Sequence, residues 1–110
     1  MNSKFTQLIN QLHEKTVNNK INWEETAEEN IFLVSFSDYS VEIADYSDES
    51  HDLYKLRIYN KEGKIVDKIS SDNCSYLTAN ELKEVYENAR RKAMGADEAL
   101  GELLESLNEI

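Results

Sequence analysis

Residues 31–70 hold two strand-pair patterns in succession, and these constrain the fold more than any other part of the chain. "IFLVSFSDYSVEIAD" carries β-branched and aromatic residues in two runs broken at Ser37 and Asp38, the pattern of two antiparallel strands joined by a tight turn. Phe32, Val34 and Phe36 are expected on one face. Val41 and Ile43 continue it, with Ser40 and Glu42 turned the other way, because successive side chains of a strand point to opposite faces. "LYKLRIYNKEGKIVDKIS" reads as a second hairpin. Asn60 to Gly63 supply its turn, and Gly63 is the residue that tolerates positive φ. Tyr54, Leu56 and Ile58 then face the core while Lys55 and Arg57 point outward, and Ile65 with Ile69 completes a fourth strand.

Helical periodicity flanks these strands. Phe5, Leu8, Ile9, Leu12 and Thr16 or Val17 recur at spacings of three and four behind Ser3, a suitable N-cap, so residues 4–17 are expected to form an amphipathic helix ended by "NNK". "TANE", residues 78–81, has the form of a capping box, and Leu82, Val85, Tyr86, Ala89 and Ala93 follow at helical spacing up to Gly95. Asp97 can cap a last helix with the apolar stripe Leu100, Leu103, Leu104 and Leu107, weakened by Gly101 by about 1 kcal/mol relative to Ala. The expectation is one α+β domain over residues 1–110: an N-terminal helix, a four-stranded antiparallel meander, and two C-terminal helices packed on one sheet face. At 110 residues the chain suits a single core, and no linker, repeat, low-complexity tract or proline interrupts it.

The charges are blocked. Acidic residues number 22 against 12 basic, a formal net charge of −10, which argues against nucleic acid as a ligand because a polyanion is bound by lysines and arginines that displace its counterions. No Lys or Arg occurs from Ile21 to Tyr54, where ten Asp and Glu residues fall. The tail from Gly95 is likewise acidic, whereas "ARRKA" just before it gathers Arg90, Arg91 and Lys92. No run of eighteen apolar residues reads as a membrane span. "MNSKFTQLIN" shows no apolar segment followed by a small-residue cleavage site, so a cytoplasmic setting is expected. Cys74 is the only cysteine, which leaves no internal disulfide and no thiolate zinc cluster within one chain.

"KINWEET", "FSDYSVEI", "YKLRIYNKEGKIVDKIS" and "LKEVYENARRKAMGADEALGELLESL" together resemble a group of small uncharacterised bacterial and prophage-associated proteins, over nearly the whole chain. The resemblance implies an α+β fold and a bacterial cytoplasmic or phage origin. It brings no catalytic motif, cofactor or partner, and no functional residue is carried over from it.

Trp23, set among Glu24, Glu25, Glu28 and Glu29, admits three roles: a plug over the core whose indole N–H finds an acceptor, an anchor for a partner, or a stacking platform. The last would call for a cationic groove. "ADYSDESHD" gathers Asp45, Asp48, Glu49, His51 and Asp52, oxygen donors and one imidazole suited to Ca²⁺ or Mg²⁺, but without the spacing and central glycine of a calcium loop. Arg90, Arg91 and Lys92 either complement the negative end of their helix or contact a small anion. His13 and His51 announce no catalytic base, no nucleophile elbow frames a serine, and Gly63, Gly95 and Gly101 form no phosphate cradle. Cys74 beside Asp72 has no activating cation. The expected function is non-catalytic protein binding, as a regulator or inhibitor of a basic bacterial or phage partner, with Trp23 and the four glutamates as contact and no cofactor. The competing reading is an enzyme or a small-ligand or metal binder using residues 45–52 with 90–92. The chain is expected to be a monomer, or a homodimer joined through strand residues such as Ile31 and Leu33.

Overall fold

The computed structural model describes residues 3–110. In chain order these form α1 (Ser3–Val17), β1 (Glu24–Glu25), β2 (Ile31–Ser35), β3 (Tyr39–Asp45), β4 (Tyr54–Asn60), β5 (Ile65–Ser70), a 3-10 turn (Ser71–Asn73), α2 (Tyr76–Met94) and α3 (Ala96–Asn108). The strands make one antiparallel sheet in the order β1-β2-β3-β4-β5, so the architecture is α+β. The expected four-stranded meander is β2 to β5. The fifth strand is β1, whose Glu24 and Glu25 pair with Leu33 and Phe32; two residues are too few to show an alternation.

Register follows burial. Phe32 opposes Ile43, Val34 opposes Val41, and Ile43 opposes Leu56, so these side chains share one covered face, and a one-residue slip would turn them all to water. Two expected core residues lie elsewhere. Phe36 follows β2 in the turn, where its N–H donates to the Tyr39 carbonyl at 2.8 Å, and its side chain is exposed. Ile65 is exposed too, because an irregularity between Ile58 and Tyr59 shifts the pairing with β5. Gly63 takes φ +80° in the β4–β5 turn as expected.

Helix boundaries are set by caps. Asn19, at φ 60°, ends α1; its N–H reaches the Thr16 carbonyl at 3.2 Å and the Lys20 N–H reaches the Lys15 carbonyl at 2.8 Å, the paired bonds of a left-handed helix stop. The capping role read for Ser3 falls on a side chain outside the described residues. The α2 helix begins before the expected box: Ser75 is its N-cap, and its side chain accepts from the Thr78 N–H. Gly95, at φ 67°, closes α2 and immediately opens α3. Asp97 therefore lies inside the first turn of α3 instead of capping it.

The helices do not share one task. Leu82, Val85, Tyr86 and Ala89 of α2 are buried over the sheet together with Phe5, Ile9 and Leu12 of α1, and the Tyr86 ring stands 5.7 Å from that of Phe32 and 5.6 Å from that of Tyr54. The expectation of two C-terminal helices on the sheet is corrected here: α2 covers the sheet and α3 does not. The substantial contacts of α3 are with α2, and none of its residues is buried. The radius of gyration is 15.4 Å, against about 13 Å for a compact chain of this length. No helix among the described residues is long and apolar enough to cross a membrane.

Candidate functional site

Four leucines mark the most unusual surface. Leu100, Leu103, Leu104 and Leu107 are 52%, 59%, 62% and 64% exposed, and their spacing places them on one stripe of α3. Fully covering a leucine contributes about 1.5–3 kcal/mol, so this stripe forgoes roughly 4–7 kcal/mol while it faces water. Glu98, Glu102, Glu105 and Glu109 fall about half a turn away, on the opposite side of the helix. Between leucines and acids lie Ala96, Ala99 and Ser106 on one flank and Asp97, Gly101 and Asn108 on the other. Asp97 is the only charge beside the stripe, and it is held by Arg91 at 2.7 Å. A helix of 13 residues is marginal by itself in water, and α3 ends with acids and no base in its last turn, against its own dipole. Such a helix gains from being covered.

Trp23 is not at the surface. Its side chain is 4% exposed, and its indole N–H donates to Thr16 Oγ1 at 2.8 Å while the Thr16 hydroxyl donates to the Leu12 carbonyl at 2.5 Å. The indole belongs to the buried core cluster and is tied to the last turn of α1, which removes it from the expected contact surface. Glu24, Glu25, Glu28 and Glu29 are all exposed. Glu24 and Glu25 occupy the open edge of the sheet, where charge opposes unwanted strand pairing.

The metal and anion candidates are dispersed. Asp45 accepts from the Ser47 N–H at 2.8 Å, and Asp48 accepts from the Ser50 N–H at 2.9 Å; that bond to Ser50 is the main cause holding the Asp48 carboxyl below its ordinary range. The 45–52 loop, with Glu49, His51 and Asp52, thus spends two of its carboxylates on its own backbone. Among the described residues no three His, Cys, Asp or Glu side chains are grouped to hold a metal ion. Arg90, Glu25, Glu29, Tyr86 and Met94 line a cleft of about 460 Å³, so part of the basic cluster meets part of the acidic edge. Arg91 and Lys92 line another, of about 330 Å³, at the α2–α3 junction beside Trp23 and Asp97. Asp52 borders a third with Tyr54 and Lys83. None of these clefts joins residues 45–52 to residues 90–92.

No known family, curated protein or solved structure matches this chain. Its function is therefore read from its own surface. The α3 stripe was visible in the sequence as helical periodicity. Its availability was not, because periodicity tells that a face is apolar and not what covers it.

On the sheet face away from the helices, Glu24, Leu33, Glu42, Arg57 and Lys68 follow one another across the strands. Arg57 reaches Glu42 at 3.1 Å and Tyr46 Oη at 3.4 Å, and Tyr59 donates to Glu42 at 3.1 Å. Burial acts to lower the Arg57 pKa, and the bonds to Tyr46 and Glu42 outweigh it, so the guanidinium stays above its ordinary value. This partly covered pair is a structural tie. A double-mutant cycle with Glu42→Gln and Arg57→Met, followed by urea unfolding, is expected to give a coupling of about 0.5–1.5 kcal/mol; a coupling near zero would make it a contact without energetic weight.

Cys74 donates to the Ser71 carbonyl at 3.8 Å. Burial, and then the Asp72 charge, push its thiol up. Less thiolate is then present at neutral pH, and the thiolate is the reacting form. Iodoacetamide should modify Cys74 more slowly than a free cysteine at pH 7.5, with a rate that continues to rise above pH 9; equal rates at both pH values would contradict this environment.

Proposed function

We propose that this chain is a non-catalytic protein-binding module, acting as a regulator or inhibitor through a protein that covers α3. The observation that carries this reading is the helix with four half-exposed leucines and no buried residue, since contiguous apolar surface on a soluble protein marks a contact. The acidic edge at Glu24, Glu25, Glu28 and Glu29 supports a secondary role in steering, because charge complementarity speeds encounter with a basic partner more than it tightens the complex. A bacterial or phage-infected cell, with the chain in its cytoplasm, is the setting proposed with this role.

The test compares the wild-type chain with a Leu103→Ser/Leu107→Ser variant as bait, by cross-linking and capture in its own cell extract. Every stable association of the chain should be lost in the variant, while the cooperative urea unfolding of the α1–sheet–α2 core at low protein concentration stays unchanged. Identical sets of associated proteins for the two baits would sink the reading.

A further inference from the structure

The surface that covers α3 has a chemistry that can be specified. Resting on the docking role of α3, we infer that the occupant is α3 of a second copy of this chain, packed antiparallel about a two-fold axis that passes between Leu103 and Leu104. An isologous contact requires one patch that complements itself. The stripe has that symmetry: reversed about its centre, Leu100 faces Leu107 and Leu103 faces Leu104.

The flanks favour the same occupant. In helix pairs the charges beside the apolar seam select the partner, and here the seam is bordered by Ala96, Ala99 and Ser106 on one side and Gly101 and Asn108 on the other. The exception, Asp97, is engaged by Arg91. Nothing beside the seam repels an identical helix or calls for an unlike one, and the small residues let the two backbones approach. The four glutamates behind the stripe stay in water, on the outer sides of the pair. A basic-rimmed partner would find its matching charges on the wrong side of the helix.

Size is consistent. The four leucines and the adjoining Ile110, which is fully exposed, expose at most about 500–600 Å² per copy, so even complete cover by a second copy buries no more than roughly 1,100 Å², the lower end of specific interfaces. An interface of that size gives a concentration-dependent dimer. Because each copy carries a net charge of −10, added salt should tighten it by screening the mutual repulsion, the opposite of its effect on a complex with a basic partner.

Sedimentation equilibrium of the full chain, from roughly 5 to 500 µM at low and at high salt, measures this directly, since the dimer population follows mass action. A reversible rise from the monomer to the dimer mass is expected, at least about threefold tighter at high salt. Leu103→Ser/Leu107→Ser should weaken it about tenfold or more. In a Cys74→Ser background, a mixture of Leu100→Cys and Leu107→Cys chains should oxidise to the mixed disulfide in preference to either homodisulfide. A monomer at every concentration, a dimer indifferent to the leucines, a complex weakened by salt, or homodisulfides alone would each overturn the pairing. A monomer that still captures another protein through these leucines overturns only the second copy as occupant. Leucine changes that alter neither mass nor capture remove the docking role as well.

Discussion

Replacing Trp23 with alanine is expected to lower the thermal midpoint by roughly 10–25 °C. Removing a large aromatic side chain from a core costs about 3–5 kcal/mol, and each kcal/mol shifts a domain of this size by roughly 3–6 °C. The loss is large against a total stability of about 5–15 kcal/mol. Two interactions contribute: the ring is buried in the core cluster, and its N–H is satisfied by Thr16. Thr16→Val separates them, keeping the volume while leaving the indole N–H without its acceptor, and should cost about 1–3 kcal/mol. Differential scanning calorimetry of the two variants decides the matter. A Trp23→Ala protein as stable as wild type would mean that the indole is not a core element.

The second large effect divides the leucines of the helical region. Leu82 has no exposed surface, and its replacement by alanine should lower the unfolding free energy by about 2–5 kcal/mol. The same change at Leu103, 59% exposed, should stay within about 0.5 kcal/mol, because the side chain leaves no cavity and alanine is the better helix former. Urea unfolding at low protein concentration, where self-association does not contribute, measures both. Comparable losses at the two positions would show that α3 is packed into the core.

How much of this was legible in the sequence depended on how much periodicity each element carries. The long strands were, because Phe32, Val34, Val41, Ile43, Tyr54 and Leu56 alternate with outward residues over enough length to fix both type and face. The short β1 was not, since Glu24 and Glu25 lack alternation and become a strand only through pairing with β2. Phe36 and Ile65 looked like core residues on period alone, and a turn and a pairing irregularity moved them out. The capping box at Thr78 puts the start of α2 three residues late, because Ser75 and Thr78 are both competent caps and the earlier one prevails. The acidic surroundings of Trp23 are compatible with three roles for the indole, and its burial and the hydrogen bond to Thr16 select one. The helical form of α3 was legible. Its separation from the sheet arises at Gly95, whose left-handed backbone turns the chain away from α2, and one residue's φ has no periodic signature.

That turn at Gly95 also separates what the chain can change from what it must keep. Folding is fixed by α1, the sheet and α2, whose buried side chains tolerate little variation. No residue of α3 enters that set, so folding places no demand on its sequence and only its associations do, and a lineage carrying this fold can change those associations without first solving the folding problem again.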